Sequence, residues 1–417
     1  MIRIDNLYSC IGCGSCVQVC PLKCICNTED QEGFMYPQVD VNSCIDCGEC
    51  DKVCPMLKDK AERKPISVYA AVHKDSDTRN NSSSGGVFSA LASSVLRERG
   101  VVFGALFNNR WEVVHGYIQN EDELWRLRGS KYVQSQVGNS YEDARFFLES
   151  GKKVLFTGTP CQIAGLKSYL KKDYENLVAV DVICHGVPSP GVFRRYLLEE
   201  LQKFALQGDK NSVLSHSIHG IPNRDALDDD KLRQIKGISF RDKRKGWKKF
   251  SFTLTLAKAS ADGKENTVLL SSTLYKNPFL RGFMKNIYLR PSCYSCHFKC
   301  FKSGSDITLG DFWGVGHYLP KMEDDRGVSA VFLNTQKSLG MNWDKCSMIE
   351  TSVDYISKRN SALYTSPAIP KERIQFFCSS GLSLSQLIEK LCPLSKSQGI
   401  KNKIRSLAYN IKVLLTR

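Results

Sequence analysis

Cysteine is the residue type whose spacing in this chain speaks most directly of chemistry. Two runs, Cys10-x2-Cys13-x2-Cys16-x3-Cys20-Pro21 and Cys44-x2-Cys47-x2-Cys50-x3-Cys54-Pro55, repeat one ligand pattern. Three closely spaced thiolates wrap one corner of a cubane, and the fourth, followed by proline, reaches across to the neighbouring cluster. One [4Fe-4S] cluster is therefore expected on Cys10, Cys13, Cys16 and Cys54, and a second on Cys44, Cys47, Cys50 and Cys20. Glycines at 12, 14 and 48 let the backbone turn tightly around metal and bring amides toward the sulfurs. Zinc also binds four thiolates, but two interlocked runs with trailing prolines are not explained by it. Two neighbouring clusters conduct electrons, so the segment reads as a relay.

The far end of such a relay is sought in five further motifs. Ser82-Ser83-Ser84-Gly85-Gly86-Val87-Phe88 leads into a helical pattern and offers amides and hydroxyls as a phosphate seat, although a plain capped helix has the same appearance. Arg128 to Ser135 combines donors at Ser130, a cation at Lys131 and an aromatic face at Tyr132, suited to a flavin or its diphosphate; a strand edge is the simpler alternative. Phe156 to Gln162 runs from a strand through Thr157, Gly158 and Thr159 into a helix, where α/β proteins place ligands. Asp181 to Pro188 carries Cys184 at another strand end, and Cys293-x2-Cys296-x3-Cys300 precedes Asp306 to Gly314. Two cysteines cannot hold a cubane. A third [4Fe-4S] cluster is accordingly expected on Cys161, Cys184, Cys293 and Cys296, with Cys300 competing for the fourth place and buried structural thiols or zinc as the alternative.

The elements that must position these residues follow from periodicity. Residues 1–57 are cysteine-dense, and the charged stretch Lys58 to Pro65 marks a boundary. Beyond it, short β-rich runs at 66–72, 101–107, 113–118, 154–157 and 177–183 alternate with helical patterns near 86–98, 140–150, 161–171 and 191–206. That alternation predicts an α/β core with a mixed sheet over 66–335, following an α+β ferredoxin-like module. Residues 207–235 read as a polar surface excursion, strands resume at 237–240, 250–257 and 267–271, and helices are expected at about 276–287 and 371–391. Residues 336–417 read as a helical extension whose basic tail places Ile400, Ile404, Leu407 and Ile411 on one face, a candidate for peripheral docking.

The 417 residues are 42% hydrophobic and 24% charged, ordinary for a globular chain, and no apolar run approaches membrane-spanning length. Cysteines grouped in C-x2-C runs, with Cys10 leaving no room for a secretory signal, predict a cytoplasmic protein with reduced thiols. The net charge of +15 is concentrated in Arg241 to Lys249 and in the tail, both expected to be solvated. Neither has the interleaved aromatics of a nucleic-acid surface, so no nucleic-acid partner is expected.

Taken in order, the motifs at 82–91, 129–135, 158–166, 184–190 and 293–314 resemble the β subunits of coenzyme F420 (deazaflavin) hydrogenase and dehydrogenase, in the bacterial form with a fused N-terminal ferredoxin domain. The resemblance covers about residues 1–335. It implies a flavin, usually FAD, held without a Rossmann fingerprint, and no G-x-G-x-x-G follows an expected strand. Ser83, Ser84, Gly85, Gly86, Ser130, Lys131, Tyr132, Thr157, Gly158 and Thr159 are then the residues that approach the flavin. The implied activity is an oxidoreductase passing electrons between a hydride-type partner (deazaflavin, nicotinamide or an organic substrate) and clusters or ferredoxin. Bacterial fusions of this kind are often associated with surface-polysaccharide genes. The alternative is a non-catalytic electron-transfer subunit feeding another enzyme.

Overall fold

The computed structural model describes residues 1–206, 218, 220–259 and 265–394. In the N-terminal module the two cysteine runs are built alike. Each enters a short helix, Ser15–Val19 or Glu49–Lys52, through a left-handed glycine, Gly14 at φ 75° and Gly48 at φ 72°. Only glycine takes this conformation without steric cost, and it frees the flanking amides to face the ligand thiols. Between the runs lies a hairpin of β1 (Ile25–Glu29) and β2 (Met35–Val39).

The main sheet has eight strands: β3 (Ser67–His73), β4 (Val101–Phe107), β5 (Val113–Ile118), β6 (Val154–Gly158), β7 (Leu177–Val182), β11 (Ile307–Asp311), β12 (Ser329–Leu333) and β13 (Cys346–Glu350), in the order β13-β3-β12-β11-β7-β6-β4-β5. Its centre, β4-β6-β7-β11, is parallel, and the flanking strands pair antiparallel. Alternation decides the layers. Val102, Leu155 and Val180 face the helix Val87–Arg97, while Phe103, Phe156 and Ala179 face the helices Ser140–Glu149 and Pro160–Leu170. Each large apolar side chain so buried contributes about 1.5–3 kcal/mol. A second sheet of β8 (Ile235–Asp242), β9 (Ser251–Ala259) and β10 (Glu265–Thr273) packs with the helices Pro190–Leu206, Pro278–Met284 and Leu384–Leu391 around another core.

Several expectations need correction. The sheet does not stop at 335, because β13 pairs with β3 from Cys346 opposite His73 to Glu350 opposite Tyr69. The segment after 336 is thus not purely helical. The helix expected over 371–391 is two, Glu372–Cys378 and Leu384–Leu391, parted by Gly381 at φ 79° and restarted by the Ser383 cap. Within the supposed excursion, Asp229–Gln234 is a helix that buries Leu232. The basic run is not simply solvated: Arg241 is buried and Trp247 lies fully buried against Trp313, their rings 4.3 Å apart. The tail from 395 lies outside the described residues. No helix among the described residues is long and apolar enough to cross a membrane.

Candidate functional site

The cysteines of the two runs fall into two neighbourhoods. Cys20 lines one pocket with Cys44, Cys47 and Cys50. Cys54 instead joins the first run: burial pushes the thiols of Cys13, Cys16 and Cys54 up, Cys13 to about 11, and neighbouring thiols of this set add to the effect. Cys24, not among the expected ligands, also lines the second pocket, its sulfur 3.4 Å from that of Cys20.

Four more thiols converge in the main domain. Cys161 opens the helix Pro160–Leu170 just beyond β6, and Cys184 lies just beyond β7, so neighbouring parallel strands deliver both to the carboxyl edge of the sheet. The 3-10 turn Pro291–Ser295 carries Cys293 and ends at Cys296. All four line one pocket. Burial pushes Cys184 and Cys293 up to about 12 and Cys161 higher still, and each of these three is also raised by two others of the four. Such thiols ionise readily only when a metal supplies positive charge. Among the described residues no group of three or more His, Cys, Asp or Glu is placed to hold a single metal ion. A cubane puts its thiolates on four separate irons and so spreads them more widely. Cys300 lines the same pocket, but the charges acting on it are Glu62, Lys302 and Lys299 rather than the other thiols.

The ferredoxin module contributes to the wall of this pocket. Ile11, between the ligands Cys10 and Cys13, is part of its wall, and Cys13 packs in one apolar cluster with Cys161, Cys296, Ala164 and Phe298. A Cβ on Gly165 would lie 2.8 Å from the Cβ of Cys13, so the helix bearing Cys161 approaches the first run through a glycine.

The residues expected near a flavin fall into two groups. The turns at 82–86 and 129–132 do meet: the Ser130 amide donates to Ser83 Oγ at 2.6 Å. Gly129 has φ 88° and open space where a Cβ would point, so an approaching ligand meets backbone there. The Lys131 ammonium, brought down to about 7 by burial, donates to the carbonyls of Leu127, Arg128 and Gly129, and the Tyr132 ring packs on Phe240 and Phe283. Gly85 and Gly86 serve close packing, since a Cβ on either would lie within 3 Å of Ala71 O or His73 Cβ respectively. Ser84 donates to the Val328 carbonyl. The Ser130 amide, the Ser84 hydroxyl and the Lys131 ammonium are thus already engaged within the protein, and the open face of this pair of turns is the backbone at Gly129.

Thr157, Gly158 and Thr159 belong to a different network. Thr159 Oγ1 lies 3.1 Å from Cys161 Sγ, and Gln162 links Thr159 to Ser135, which bonds to His115 at 2.8 Å. His115 also meets the Thr157 carbonyl at 3.0 Å, which makes Nε2 the donor and Nδ1 the acceptor. Burial holds this imidazole down at about 4, so it stays neutral.

Two cations of the run expected to be solvated, and a third that the sequence did not single out, lie beside these turns and thiols. Arg241 pairs at 2.5 Å with Asp311, the last residue of β11, and Lys243 donates to the carbonyl of Ser84 at 3.2 Å, bringing the basic run to the serine-glycine turn. Lys299 donates to the carbonyl of Cys184 at 2.5 Å. Only the run's mixture of arginine with tryptophan hinted at burial.

Comparison with known proteins gives three family matches. The model for the coenzyme F420 hydrogenase/dehydrogenase beta subunit N-terminus matches residues 68–140, that for its C terminus residues 151–346, and a 4Fe-4S dicluster domain residues 9–57. No curated protein matches. Among solved structures, a chain of the xenon-derivatised F420-reducing [NiFe] hydrogenase complex from Methanosarcina barkeri is similar, with 17% identity, 73% of this chain and 91% of that chain covered, and a TM-score of 0.40.

Proposed function

Since this chain belongs to the coenzyme F420 hydrogenase/dehydrogenase beta subunit family, with an iron–sulfur dicluster domain at its N-terminus, we propose that it is a flavin- and iron–sulfur-dependent oxidoreductase of the cytoplasm. Electrons would pass between a hydride-type partner (a deazaflavin, a nicotinamide or an organic substrate) and ferredoxin through three [4Fe-4S] clusters. The observation that carries the reading is the convergence of Cys161, Cys184, Cys293 and Cys296 on a pocket whose wall includes Ile11 of the first ferredoxin run. That placement supports a continuous path: the module's second ligand set outermost, the first set next, the main-domain thiols beyond.

A flavin, FAD by the family's habit, would supply the exchange between hydride and single-electron chemistry. Around it this chain's residues bind and orient. The Ser83–Ser130 contact fixes two turns together, Gly129 leaves room for close approach, and Lys131 is held beside them by the carbonyls of Leu127, Arg128 and Gly129. The network from His115 to Thr159 holds the turn before Cys161 rigid.

The test is anaerobic purification with flavin analysis, followed by bleaching assays against reduced deazaflavin, NADH, NADPH and reduced ferredoxin. Released FAD together with bleaching by one of these donors is expected. Intact clusters with no flavin, and no uptake of added FAD, would leave a non-catalytic electron-transfer subunit as the correct reading.

A further inference from the structure

Arg290 is 1% exposed, yet none of its direct polar partners among the described residues is a carboxylate. Its Nε donates to the Cys10 carbonyl at 2.8 Å, Nη1 to Gln134 Oε1 at 3.0 Å, and Nη2 to the Met35 carbonyl at 3.1 Å and to Cys10 Sγ at 3.6 Å. The guanidinium stacks over Tyr36, 4.1 Å from the ring centre. Asp30 feels its charge, but the oxygen of Asp30 that is hydrogen-bonded accepts from the amides of Glu32 and Phe34. A buried arginine without a counter-ion costs several kcal/mol. The sulfur in direct contact is that of Cys10, an expected cluster ligand and an anion once it holds iron.

We propose that Arg290 is the built-in counter-ion of the cluster on Cys10, Cys13, Cys16 and Cys54, and that it raises this cluster's potential above that of the cluster on Cys20, Cys44, Cys47 and Cys50. Reduction adds negative charge to a cluster, so a neighbouring cation and an N–H···S bond favour the reduced form. Burial alone acts oppositely, because a low-dielectric setting resists added charge. Among the described residues no cation donates to a sulfur of the second ligand set, and the nearest charge effect is that of the exposed Lys52 on Cys47. The sulfurs of that set accept from the backbone amides of Ile2, 3.3 Å from Cys50, and Asp46, 3.4 Å from Cys44, the neutral thiol of Cys24 lies 3.4 Å from Cys20, and Cys47 is exposed. The cradle is shaped for Arg290: a Cβ on Gly12 would lie 2.9 Å from its Cζ. Its main chain also accepts from the Cys293 amide at 2.9 Å, tying it to the third thiol set. The electron would thus rest on the cluster beside the main-domain pocket rather than on the outer one. Arg290 acts as a positioning residue through the cluster and touches no substrate.

This inference rests on the iron–sulfur reading of the two runs. The experiment is a redox titration of the full chain followed by electron paramagnetic resonance. In R290Q one ferredoxin potential is expected to fall by at least the equivalent of tenfold in the one-electron equilibrium, about 59 mV, with the other moving less. R290K should recover part of the shift. Q134E, which sets a carboxylate against the guanidinium without removing it, should lower the same potential. Absence of cluster signals from the wild-type protein would defeat the underlying reading. Clusters present with unshifted potentials, equal shifts in both, or loss of both clusters in R290Q and Q134E alike would overturn the role given to Arg290.

Discussion

Four half-buried thiols share one pocket, and three of them, Cys161, Cys184 and Cys293, ionise at a cost unless a metal offsets it, which makes single cysteines the sharpest probes of the main domain. Cys184 and Cys300 both line the pocket, but only Cys184 is raised by other members of the set. Anaerobic C184S should therefore lose about four irons per chain, and C300S should retain the wild-type content; the reverse result would hand the fourth position to Cys300. Lys131 makes a second prediction. Its folded pKa of about 7 lies below the ordinary 10.5, so between these values the unfolded chain binds more protons and stability rises with pH. The cost of burying the ammonium is full below about 7. K131M should accordingly raise the melting temperature of flavin-free protein more at pH 6 than at pH 9, and a pH-independent difference would contradict this. At this scale the ferredoxin ligands were legible because their spacing is local. Arg290 was not, since a lone arginine carries no sign of what it will be buried against, and Arg241 was hidden inside a charge run that looked solvated.

Elements were legible where one periodicity persisted. β4 and β5 fall on their expected residues, because alternating apolar runs flanked by turn signals specify both edges. β11, β12 and β13 were missed for a different reason: β11 was read as a ligand-bearing motif, and β13 lay beyond the supposed domain limit. The helix Pro160–Leu170 shows what an element adds to its residues. Its Thr159–Gln162 capping box fixes the start, Cys161 follows the cap, and Gly165 one turn later admits Cys13. A methyl there would also meet Tyr141 Oη at 2.8 Å. G165A should lower stability by about 1–3 kcal/mol in urea unfolding, as overpacking typically does. It should also slow electron passage from the ferredoxin module into the main domain. A variant as stable and as fast as wild type would mean that the helix can shift without disturbing either site.

Over the whole molecule, the module is clasped to the main domain rather than tethered by its linker. Glu29 pairs with Arg194 and Glu32 with Arg373, Gly33 packs on the backbone of Gly191, and Ser15 donates to the Gly165 carbonyl at 3.0 Å. Nothing in the sequence announced these long-range contacts, which join residues far apart in the chain, although the motifs they bring together were all visible. The packing gives the cysteine sets their order, and it makes the central claim one of number: three clusters in one chain. The measurement is iron and acid-labile sulfide per chain in protein purified under strict anaerobiosis. About twelve irons are expected, and a value of about eight, with the ferredoxin clusters intact, would contradict the account.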